Sequence, residues 1–117
     1  MEPIVRDLLV YQGHDDVFQW SWRNKDNQQP LDFAGASLRM QIRAKPRDPV
    51  LLFEMRPQDL ELDEGSATVK VWFRGVVSET FTFKKGHYDL ELYWPDDDPV
   101  YRLVMGKIAI NPEVTMP

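Results

Sequence analysis

Apolar and polar side chains alternate along almost the whole of this chain. That period of two suits strands with one buried and one solvated face and excludes amphipathic helices as the main element. In Val17-Phe18-Gln19-Trp20-Ser21-Trp22-Arg23 the aromatics Phe18, Trp20 and Trp22 share one face. Leu38, Met40 and Ile42 alternate with Arg39, Gln41 and Arg43, and Ala67, Val69, Val71 and Phe73 alternate with Thr68, Lys70, Trp72 and Arg74. Phe81 and Phe83 interleave with Thr80 and Thr82, Tyr88 to Trp94 alternate with Asp89, Glu91 and Tyr93, and a last strand is expected from Val100 to Ile110.

Turn formers separate these runs at Asn24 to Pro30, Asp63-Glu64-Gly65, Lys84-Lys85-Gly86 and Pro95 to Pro99. Asn and Asp bond their own backbone there, Gly accepts positive φ, and Pro lacks a ladder donor. Arg43 to Pro49 carries two prolines and three basic residues, so it is expected as an exposed connection leading to a short strand, Val50 to Glu54. One helical turn is expected near Arg56-Pro57-Gln58-Asp59. Strands spaced in this way predict an all-β, immunoglobulin-like antiparallel sandwich of about seven to nine strands with Greek-key connections. Gly86-His87-Tyr88 fits either a tyrosine corner or an ordinary core tyrosine after a glycine turn. Leu103 and Met105 lie on one parity and Ile108 and Ile110 on the other, which a β-bulge at Gly106 would reconcile.

With 117 residues, 43% of them hydrophobic and 12% aromatic, the chain has material for one core, and residues 1–117 are expected to form a single domain. No cysteine is present, so disulfides, thiolate metal sites and a Cys nucleophile are excluded. A formal net charge of -5 argues against general nucleic-acid affinity. Neither a signal peptide nor a run long enough to span a bilayer is visible, which leaves synthesis in a cytoplasm as the expectation.

Motifs for catalysis are missing: there is no Gly-rich phosphate loop, no Gly-x-Ser-x-Gly turn and no His-Glu-x-x-His helix, so neither enzyme activity nor a cofactor is expected. His14-Asp15-Asp16 offers metal-ligand types, but adjacent strand residues point apart, so at most two converge. Asp96-Asp97-Asp98 lacks the spaced ligands of a calcium loop and reads as a charged hairpin tip. Same-face carboxylates, Glu61 with Asp63 and Asp89 with Glu91, read as solvated strand faces.

Apolar side chains on the polar parity are the better functional signal. Trp72, Tyr93 and Leu52 fall among charged neighbours and become candidate interface residues, because aromatics are enriched where interfaces are desolvated. Arg39, Arg43, Lys45 and Arg47 would make one edge basic and suited to an acidic partner. A carbohydrate-binding module with Trp72, Tyr93 or Tyr101 stacking on sugars is an alternative, as is a small inhibitor of a host enzyme; a hydrolase is the remotest reading.

Several segments together resemble a family of small immunoglobulin-like virion proteins of tailed phages and prophages, similar to the N-terminal domain of baseplate upper proteins. They are Gln12-Gly13-His14-Asp15-Asp16, Pro30 to Ser37 leading into Leu38 to Arg43, Gly86-His87-Tyr88-Asp89-Leu90-Glu91-Leu92, and Gly106 to Thr115. The resemblance implies a non-enzymatic adaptor in a tail, baseplate or neck, located in the virion, oligomeric there, with other virion proteins as partners and neither nucleic acid nor membrane bound. The chain ends soon after Pro112-Glu113-Val114-Thr115 with no fibre region following, so binding to a host receptor or surface glycan is the lesser expectation.

Overall fold

The aromatic face of Phe18 and Trp20 finds its partner in the next strongly alternating run. β3 (Asp16–Ser21) pairs antiparallel with β7 (Thr68–Phe73), setting Phe18 opposite Val71 and Trp20 opposite Val69. β7 pairs on its other side with β6 (Leu60–Asp63), completing a small sheet in the order β3-β7-β6. The computed structural model describes residues 1–115, and of 97 and 98 only the backbone.

The larger sheet is built on β4 (Ser37–Arg43), β8 (Lys85–Trp94) and β9 (Asp97–Asn111), with β5 (Leu51–Glu54) beyond β4. At its other edge β1 (Ile4–Val5) and β2 (Leu8–Tyr11) run parallel to β9, so the expected all-antiparallel pairing fails at this one edge. β3 and β4 are consecutive in the chain but pair in different sheets with β7 and β8, which is the Greek-key crossing. Met40, Ile42, Leu90, Leu92, Val69, Val71 and Phe73 fill the space between the sheets, all nearly inaccessible to water. Removing one such side chain costs about 2–5 kcal/mol.

Three local expectations are corrected. Pairing of β8 with β9 slips one residue between Leu90 and Glu91, so the bulge holds Leu103, three residues before Gly106. Leu103 and Val104 therefore both face the core, and Met105 turns outward. Phe81 and Phe83 do not form a strand: α1 (Gly75–Ser78) intervenes, and the two rings stack at 4.9 Å in an irregular crossing between the sheets, with Phe53 4.8 Å from Phe81. Lys85 and Gly86, expected in a turn, begin β8. Of the two readings of Tyr88 the core tyrosine is the one found, its buried hydroxyl donating to the carbonyl of Arg6, 82 residues away, at 2.5 Å. The helical turn at Pro57–Asp59 is found where the sequence places it.

Candidate interaction surface on the large sheet

The outer face of the large sheet carries a ladder of polar side chains that strand register brings together. Arg39 Nη2 donates to Glu91 Oε1 at 2.8 Å, Arg102 Nε lies 3.3 Å from Asp89 Oδ2, and Gln41 Nε2 donates to Glu54 Oε1 at 2.7 Å. Hydrogen bonding to Glu91 holds the Arg39 guanidinium more firmly protonated. Burial pushes the Asp89 carboxyl above the usual carboxylate range, with repulsion from Glu91 adding to it and Arg102 opposing it. Burial likewise raises the Tyr88 hydroxyl well beyond the ordinary phenol range, which keeps it a donor to Arg6.

Where β4 gives way to the connection to β5, the ladder opens into a hollow of about 200 Å³. Arg43, Lys45, Arg47 and Arg102 supply its cations, Asp89 adds one carboxylate paired with Arg102, and Pro46 and Met105 supply apolar lining. Arg43 is held by two bonds, from Nη1 to the Asp48 carbonyl at 2.8 Å and from Nη2 to Gln41 Oε1 at 2.9 Å. Arg47 sits at φ 62°, in the left-handed region, where a residue with a Cβ pays about 1–2 kcal/mol that glycine would not. A second hollow, of about 550 Å³, adjoins the first across His87 and adds Lys85 and Lys107.

The predicted residues thus separate. Arg43 and Arg47 meet at the hollow with Lys45, whereas Arg39 lies further down the sheet, engaged by Glu91, with its guanidinium carbon 4.9 Å from the centre of the Tyr93 ring. Trp72 belongs to the other sheet: it pairs with Val17, and Arg74 covers its ring at 4.3 Å. Leu52 is not outward, because pairing slips between Ile42 and Arg43 and leaves Leu52 as the extra residue, packed against the core; Leu51 is the exposed one. His87, Arg102, Lys85 and Lys107 were missed by sequence reasoning. They sit more than 35 residues from Arg47, and only the β4-β8-β9 register brings them near.

The turn Gln12-Gly13-His14-Asp15-Asp16 is a fastening. Gln12 Nε2 donates to the carbonyls of Ser78 (3.3 Å) and Phe81 (3.1 Å), Gly13 N donates to Ser78 Oγ at 2.9 Å, and Asp15 Oδ1 accepts from Gly75 N at 2.7 Å. His14 Nδ1 lies 3.1 Å from Asp16 Oδ1, while Asp15 faces away toward α1. No group of three His, Asp or Glu side chains able to hold a metal occurs among the described residues. The side chains of Asp97 and Asp98, part of the acidic run read as a hairpin tip, lie outside the described residues. No helix among the described residues is long and apolar enough to cross a membrane.

Two sheets in these strand orders define an immunoglobulin-like β-sandwich. Among solved structures of similar fold is one of a chicken TCR, with TM-score 0.56 and 14% identity over 97% of this chain. The match spans 55% of that TCR chain, so this protein corresponds to about half its length, and at this identity the likeness concerns the fold alone. No family model and no curated protein matches the sequence.

Proposed function

We propose that this chain is a non-enzymatic binding subunit that engages an acidic protein surface through the outer face of its large sheet, as a structural component of a tailed-phage particle. The observation carrying the binding role is the hollow where Arg43 and Arg102 on the large sheet meet Lys45 and Arg47 on the β4–β5 connection, a group of cations in a chain of net charge -5. Support for the particle comes from the sequence resemblance set out above. A sugar-binding role is less well supported, because each aromatic proposed for stacking already has a partner: Arg74 over Trp72, Arg39 over Tyr93, and Trp94 edge-on to Tyr101 at 6.2 Å.

Mass spectrometry of gradient-purified particles, from the phage or induced prophage that encodes the chain, tests this reading. Stoichiometric presence in the particle fraction is expected. Recovery of the chain from the soluble lysate alone would overturn the virion role.

A further inference from the structure

Charge is distributed along the length of this molecule. The body measures 47 × 28 × 24 Å, and the longest strand, β9, has fifteen residues. At the end where β8 turns into β9, Asp96 is exposed and the hairpin tip reads Pro95-Asp96-Asp97-Asp98-Pro99 in sequence; Glu64 reaches the same end, accepting from Gly35 N at 3.0 Å beside Ala34, whose carbonyl accepts from Trp94 Nε1 at 2.8 Å. The cationic hollow lies toward the opposite end, where β4 finishes and β8 starts. The two surfaces match in chemistry as well as in sign. Pro95, Pro99 and Val100 expose apolar surface beside the acidic tip, and Pro46 and Met105 offer apolar lining between the cations.

Tyr88, beside the hollow, and Asp96, at the tip, are separated by eight residues of extended chain, roughly 25 Å. The tip therefore cannot reach the hollow of its own molecule. We infer that copies of this chain associate head to tail, the β8–β9 tip of one copy seating in the Arg43–Arg47 hollow of the next. Such a contact is heterologous, so repetition closes a ring or extends a file. One hairpin in one hollow buries little surface, so the contact is weak between free copies and is reinforced by repetition in an assembly. The inference rests on the reading of the hollow as a site for an acidic partner and names that partner as a second copy.

Sedimentation velocity of the full chain, across protein concentration and at low and high salt, tests it. Association is expected to grow with concentration and to fall as salt screens the charges. Arg47→Glu, which lowers the positive charge of the hollow by two, and Asp96→Lys, which lowers the negative charge of the tip by two, are each expected to weaken association about tenfold. Circular dichroism is expected to stay unchanged, because both side chains are exposed. An equimolar mixture of the two variants is expected to regain association, since the unaltered tip of the Arg47→Glu chain meets the unaltered hollow of the Asp96→Lys chain. A wild-type chain that stays monomeric at every concentration in low salt overturns the inference, as does a mixture that fails to recover. A monomer that binds a polyglutamate peptide in an Arg47-dependent way also overturns it, while leaving the hollow as a site for a foreign acidic partner. Self-association by a chain absent from purified particles would separate this inference from the virion role.

Discussion

The Tyr88 hydroxyl is a long-range fastening made by one atom. Its donation to the Arg6 carbonyl holds the N-terminal segment against β9, and Tyr88→Phe leaves that carbonyl without its side-chain donor. A loss of about 1–2 kcal/mol is expected from urea unfolding, with amide exchange rising first in β1 and β2. Asp89 acts in the opposite direction. Its carboxyl is raised in the folded state, mainly by burial, so the native chain binds the proton more tightly than the unfolded one. Stability due to this group is therefore present below the unfolded carboxylate pKa and is lost as pH rises through the folded value. Asp89→Asn is expected to stabilise the fold at about pH 7 by less than about 1 kcal/mol, because the group is partly exposed and loses its ion pair with Arg102. That gain should vanish below about pH 3, as denaturant midpoints at the two pH values would show. Parity revealed that Trp72 and Tyr93 lie off the core face, yet not that arginines cover them, since those contacts depend on side-chain reach.

At the scale of elements, most strands were legible because a half-buried strand writes its own alternation. β3, β4, β7 and β8 each bury the parity their sequence indicates. Illegible were the places where pairing slips, at Leu52 and Leu103, because a bulge is decided jointly by two strands and only one is visible in a local window. Phe81 and Phe83 alternate like a strand but have no ladder partner, so packing on Phe53 claims them instead. Gly106 drew notice as a bulge, yet its requirement is different: a Cβ there would collide with the Arg6 carbonyl. Gly106→Ala is expected to cost about 2 kcal/mol or more and to loosen β1 and β2 from β9. Faster amide exchange at Leu8 and Val10, which share the parity of the β9-bonded amides of Arg6 and Gln12, with β4 and β8 protected, would report it; uniform protection would refute the account.

Across the whole molecule, the sandwich could be read from periodicity and turn chemistry, since both are local and both agree with the tertiary arrangement. The candidate surface was half legible. Arg43, Lys45 and Arg47 are close in sequence and line one hollow, but Arg39, grouped with them, lies apart on Glu91, while Arg102, Lys85 and Lys107 join the hollow only through register between distant strands. The parallel edge was hidden for the same reason, as nothing near Leu8 indicates a partner at Ile108. This edge also sets an order of events. A ribosome that has made everything through Trp94 has produced β2 without its ladder partner and β8 with one side bare, because β9 lies between them and emerges afterwards. Leu8 and Val10 must wait, exposed, for about a hundred further residues, so during translation this segment is the natural client of a chaperone and the first foothold for aggregation.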